Sequence, residues 1–218
     1  MRRLSLLCVV LCLTACPKTE KAAASSREAA FWTWFAKEEV RLAKEARAQD
    51  PRGAMMEISG HLEAIDPGAV AEIAIQPDEM HPHTLVVTAN GDTKVFAEVK
   101  KIVAAAPPLE KWKVVAFRQR RDPGQSLQLP DFEAKQADFF FREAGRARGK
   151  LDVEVLVKGM NDGNEKAVQQ AAFLMLDHLL GEYDVETKLA GISVKPLPEK
   201  PSDDVKPLSQ LAGVVDAL

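Results

Sequence analysis

The chain has 218 residues, 46% of them hydrophobic and 28% charged, with a formal net charge of −3. That is the balance of a globular protein large enough to bury a sizeable core, and its mild acidity excludes a nucleic-acid binder, whose phosphate contacts demand clustered lysine and arginine. The three cysteines all fall among the first sixteen residues, so the remainder is expected to hold no internal disulfide, thiolate metal site or cysteine nucleophile.

Arg2 and Arg3 open the chain, residues 4–13 form an apolar run broken only by Ser5 and two cysteines, and Leu13-Thr14-Ala15-Cys16 closes it. The run is about half of the roughly 20 residues needed to span a bilayer. Its basic, apolar, small-residue order is that of a cleaved secretory signal. The L-T-A-C box adds small residues that fit a signal peptidase and a thiol that can carry diacylglycerol. We expect residues 1–15 to be a lipoprotein signal peptide, Cys16 to be lipidated, and residues 16–27 to form a flexible tether.

The protein would then be held at the bacterial cell envelope by its lipid without crossing the membrane. Each buried methylene contributes about 0.8 kcal/mol, so two or three acyl chains anchor stably. Pro17 follows the lipidated cysteine where aspartate would retain the protein at the inner membrane. In a Gram-negative cell this favours the periplasmic face of the outer membrane. Removing residues 1–15 takes two positive charges and leaves a formal charge of −5.

Ser25 or Ser26 can cap a helix from about residue 27, in which Phe31, Trp34, Phe35, Leu42 and Ala46 share a stripe while Trp32 points elsewhere. Asp50-Pro51 starts a second helix bearing Met55, Ile58, Leu62 and Ile65, stopped by Asp66-Pro67-Gly68. The two read as a helical hairpin. Residues 71–75 and 84–88 are short β-branched runs, Asn90-Gly91-Asp92 turns, residues 92–103 keep helical spacing, and residues 112–117 read as a central strand. This is a β-β-α-β unit.

A second such unit is expected. Residues 139–146 and 151–157 flank the turn Ala147-Arg148-Gly149-Lys150, a helix spans about 164–180, and residues 183–194 read as a strand. The fold class is α+β: an N-terminal helical hairpin followed by two β-β-α-β units packed as one mixed or antiparallel sheet domain over residues 28–200. Prolines at 196, 198, 201 and 207 predict an extended tail over residues 201–218, on which Leu208, Leu211, Val214 and Leu218 could dock a short helix.

Arg118 and Arg120 end the third strand, and strict alternation would put them on the face of Val114 and Ala116, where two guanidiniums can clamp a carboxylate or phosphate. On the helix of the second unit, Ala171, Leu174 and His178 are expected along the core flank. His178 with Asp184 or Glu186 forms a candidate acid/base or cation-holding group at the following corner. His81-Pro82-His83 and the turn over residues 159–164 are lesser candidates, and structural roles compete at every position. No G-x-S-x-G, Walker, S-x-x-K, CxxC, H-E-x-x-H or dinucleotide fingerprint occurs, so no metal site or cofactor is implied.

Phe31-Trp32-Thr33-Trp34-Phe35, Leu85 to Gly91, Ala105-Ala106-Pro107 with Trp112 to Arg120, and Leu176 to Glu186 together resemble an uncharacterised bacterial family, a domain of unknown function, across roughly residues 30–200. The resemblance implies no activity and carries no catalytic residue. The leading expectation is a lipid-anchored envelope protein that binds a protein or small ligand without catalysis. The alternative is an envelope hydrolase of anionic substrates using Arg118, Arg120, His178 and Asp184 or Glu186, which requires these groups to converge on one cleft.

Overall fold

The computed structural model describes residues 26–48, 51–76, 78, 80–122, 124, 126–129 and 132–218. The expected signal, Cys16, most of the tether and the Asp50 cap lie outside the described residues. The remainder is α+β and opens on a helical hairpin. Helix α1 (Arg27–Ala46) is capped by Ser26, whose hydroxyl accepts from the Ala29 amide at 3.2 Å, and α2 (Arg52–Glu63) packs beside it through Ala54, Ile58 and Leu62.

Trp32, which points away from the expected stripe, is buried against a neighbouring element and donates its indole N–H to the Ile102 carbonyl at 2.7 Å. Trp34 instead stands at the rim, stacked on His61 at 3.6 Å. The buried arc of α1 is wider than one helical stripe because a further helix covers its flank.

Strands β1 (Val70–Ala74), β2 (His83–Thr88) and β3 (Trp112–Ala116) form a sheet in that order, with β1–β2 antiparallel and β2–β3 parallel; α3 (Phe96–Ala104) makes the crossover. Alternation sends His83, Leu85, Val87, Trp112 and Val114 toward the helices. Glu72, Ala74, Thr84, Val86, Lys113 and Val115 point to the other face, which no helix among the described residues covers lengthwise.

The second half begins with a small antiparallel pair, β4 (Ser126–Leu129) and β5 (Phe132–Lys135). The hairpin β6 (Phe139–Ala147) and β7 (Lys150–Val157) follows, its tip at Arg148 and Gly149 with φ of 53° and 74°, as a two-residue turn of matching twist requires. Helices α4 (Glu165–Leu180) and α5 (Glu182–Lys188) lead to β8 (Leu189–Pro196), parallel to β7. The β-β-α-β pattern recurs with the same strand senses. Its closure recurs too: the Phe117 amide bonds Val87 O at 2.8 Å in the first unit, and the Leu197 amide bonds Val157 O at 2.9 Å in the second.

Two expectations change here. Among the described residues the strands divide into three sheets, and the units meet through loops and α5 with no strand pairing between them. Residues 183–188 are helical, because Gly181, at φ 76° and ψ 153°, restarts the chain into a turn with Glu182 and Asp184 at its electropositive N-terminus.

Two hydrophobic cores result, one drawn from residues 31–117 and the other from residues 129–215. The C-terminal segment is docked. It contributes β9 (Lys206–Pro207) at the edge of β6 and α6 (Leu211–Asp216), and Leu208, Leu211 and Val215 are fully buried in the second core. Three large apolar side chains at near-helical spacing outweigh the prolines before them. No helix among the described residues is long and apolar enough to cross a membrane.

Candidate functional site

The two lobes are joined by a buried carboxylate. Glu182, 1% exposed, accepts from the Thr88 hydroxyl at 2.6 Å and the Arg118 amide at 3.2 Å on one oxygen, and from the Ala89 and Gly91 amides at 3.1 Å on the other. The Glu182 amide returns a bond to Arg118 O at 3.0 Å. Every donor comes from the first lobe. Beside this bond Tyr183 stacks on Phe96 and Phe117, with the Lys100 ammonium 4.1 Å from its ring centre.

Phe117 sits at φ 65°, a costly conformation for a bulky residue, held by burial against Phe96 and Tyr183. This breaks the strand's alternation. Arg118 and Arg120 therefore leave the face of Val114 and Ala116 and line the uncovered face of β1–β3.

That face is the floor of a cleft of about 770 Å³, in the usual range for small-molecule sites. Ala74, Thr84, Val86 and Val115 form its floor, residues 118–121 one wall, and Leu174, Asp177 and His178 of α4 the other. Leu174 and His178 thus face the cleft rather than the core; the core stripe of α4 is Val168, Ala171, Ala172, Met175 and Leu176. A smaller cleft of about 440 Å³ lies beyond Arg118 and Asp177, lined by Asn90, Phe173, Glu186 and Ile192 among others.

Arg118, Arg120 and His178 therefore meet at one cleft, where both arginines are engaged by carboxylates and His178 by a cation. Arg118 binds Glu72 through Nε at 2.9 Å and Nη2 at 2.6 Å, contacts Asn90 Oδ1, and lies 3.6 Å from Asp177. Arg120 binds Asp184, Asp216 at 2.8 Å and the Leu180 carbonyl at 2.8 Å. His178 Nε2 faces the Arg121 guanidinium, and its Nδ1 is buried without a hydrogen-bond partner among the described residues.

Burial, then the charge of Arg121, holds the His178 pKa below its ordinary value. Burial raises Asp177 against the opposing pull of Arg118, and burial also raises Glu186, which stands near Asp177 and Glu182. Asp184 and Glu186 are two residues apart on α5, about 200° around its axis, with Asp184 on Arg120 and Glu186 in the smaller cleft, so neither pairs with His178 among the described residues. Among the described residues no group of three His, Cys, Asp or Glu side chains could hold a metal ion.

The lesser candidates are structural. His81 pairs with Asp78 at 2.8 Å on the surface, and His83 is wholly buried. In the turn before α4, the amides of Asn161 and Gly163 are satisfied by Asn164 Oδ1 and Asn161 Oδ1. Arg121 adjoins the arginine pair in sequence and Asp177 and Glu182 belong to the acidic corner, while no spacing marks Lys113. Only their contacts across the lobes assign them to the junction or the cleft.

The molecule is thus a two-lobed α+β protein with an open cleft at the lobe junction. No protein-family model, curated protein or solved structure matches the chain.

Proposed function

We propose that this chain is a lipid-anchored bacterial envelope protein that binds a small ligand in the cleft between its lobes and carries out no chemistry on it. The observation that carries the reading is the uncovered face of β1–β3. A parallel strand pair is ordinarily covered on both faces, yet Val86 and Val115 line open space opposite Leu174. The groups a hydrolase would need are engaged elsewhere: Arg120 with Asp184 and Asp216, Arg118 with Glu72, and His178 with a cation. The Leu13-Thr14-Ala15-Cys16 box and Pro17 support attachment at the envelope, on the outer membrane's periplasmic face in a Gram-negative host.

Two measurements test the reading. Metabolic labelling with a palmitate analogue should mark the wild type and not Cys16→Ala, and label in neither removes the anchor. Methyl NMR of the valines during a small-molecule screen should move Val86 and Val115 together. Shifts confined to other sites, or no hits, defeat the cleft as the binding site.

A further inference from the structure

We infer that the cleft selects a single-chain anionic amphiphile, its acidic head between Lys113 and Arg121 and its apolar chain on the floor of Val86 and Val115. The inference rests on the cleft being the ligand site and concerns what that site prefers. It follows from which of the cleft's cations stand without a direct carboxylate partner. Glu72 and Asp177, the two acidic residues lining the cleft, both lie on Arg118, and Asp177 also feels the charge of Arg121 from beyond ion-pair distance. Arg120 is neutralised by Asp184 and Asp216. Lys113 and Arg121 line the same cleft and have no carboxylate at ion-pair distance among the described residues. The Arg121 guanidinium contacts the imidazole of His178, and its backbone amide bonds the His178 carbonyl at 2.8 Å.

The cleft therefore presents two cations without a direct carboxylate partner beside an apolar floor. Lys113 and Val115 share a strand face two residues apart, so the ammonium projects from the same surface that Val115 builds, and Val86 lies in register with Val115. Across the cleft Leu174 is 37% exposed, an unusual position for a leucine on a helix that already has a core stripe. A neutral apolar ligand would take water from Lys113 and Arg121 and leave them unpaired, and a cation would be repelled. A carboxylate or phosphate head supplies the missing acceptors by charge-assisted hydrogen bonds, and an alkyl chain covers the valines. The same chemistry could reach the cleft as a free amphiphile or as a phospholipid in a bilayer, and we commit to the free, single-chain form.

The test is calorimetric titration of the full chain carrying Cys16→Ser, with decanoate, decyl phosphate, decyl maltoside and decyltrimethylammonium, each below its micelle-forming concentration. Decanoate and decyl phosphate should bind one per chain, at least about tenfold more tightly than the other two. The double variant Lys113→Gln, Arg121→Gln should erase that preference, Lys113→Arg should keep it, and Val115→Trp should abolish binding, with circular dichroism reporting the fold of each. Equal binding of the maltoside or the ammonium, blocked by Val115→Trp, overturns the anion preference while the cleft remains the ligand site. An anion preference that survives the double variant also overturns it. Binding to anionic phospholipid vesicles without binding of decanoate overturns the free-amphiphile assignment. Binding of none of the four overturns both this inference and the binding function itself.

Discussion

Thr88 Oγ1 donates to Glu182 Oε2 at 2.6 Å across 94 positions of chain, and this buried contact joins the two lobes. With it, the amides of Ala89, Gly91 and Arg118 converge on one carboxylate. Truncation would leave those buried donors without an acceptor, which costs far more than the bonds contribute net. Glu182→Ala should lower the unfolding free energy by about 3–5 kcal/mol, and Glu182→Gln, which keeps the shape but replaces one acceptor oxygen by a donor, by less. Urea unfolding of the two variants measures both, and an alanine variant within about 1 kcal/mol of wild type would deny Glu182 this role.

Gly181 delivers Glu182 to that site. A Cβ there would stand 3.0 Å from Arg118 O and 3.1 Å from Arg120 N, in a backbone region open only to glycine. Gly181→Ala should cost about 3 kcal/mol and speed amide exchange at Glu182 and Arg118. Gly60, inside α2 with nothing near its would-be Cβ, is the contrast: Gly60→Ala should stabilise by about 0.5–1 kcal/mol.

His83 makes stability depend on pH near neutrality. Its Nδ1 accepts from the Gln76 amide at 3.0 Å and its Nε2 donates to Ala43 O at 3.2 Å, an arrangement only the neutral ring satisfies. Burial places its folded pKa below the ordinary 6.5. The unfolded chain therefore takes up a proton first, and the stability His83 contributes above that value is lost as pH falls through 6.5 toward the folded pKa. His178 shifts in the same direction. Unfolding free energy should decline from pH 7.5 to 5.5, and His83→Gln with His178→Gln should flatten that slope.

Glu186 acts with the opposite sign. Its carboxyl is raised by burial and by Asp177 and Glu182, so its ionised form destabilises the fold above its unfolded pKa and the penalty disappears as pH falls below it. Glu186→Gln should stabilise the protein at pH 7 and give no gain at pH 3.5. A stability gain that persists at pH 3.5 would mean packing, not charge.

On the outer face of β6–β7–β8, Glu154 lies 4% exposed between Arg142 and Lys195. The Lys195 contact, with Arg142, depresses its pKa, so this contribution is present above the unfolded carboxyl value and lost as pH falls through the folded one. Because both cations are solvated, Glu154→Ala should cost only about 1–2 kcal/mol at pH 7, a difference that vanishes in acid unfolding titrations.

Much of the chain was legible locally. The β-branched runs around Leu85 and Val114, the Arg148-Gly149 turn and the Ser26 cap each follow from a few neighbouring residues. Residues 183–188 did not, since Val185 and Thr187 imitate strand spacing while Gly181 and the bond of Glu182 to the other lobe impose a helix. The arginines stood out as a cluster, but their direction depends on Phe117. That residue's positive φ is stabilised by Phe96 and Tyr183, one from each lobe.

The sequence by itself determined the α+β order, the helical hairpin and the recurrence of β-β-α-β, because helix and strand periods are written in residues a few positions apart. Only the tertiary structure decided which charges neutralise one another and which face stays open. Glu72 meets Arg118 from 46 positions away and Asp184 meets Arg120 from 64. The charge left over on Lys113 and Arg121 can be known only after those distant pairs have formed.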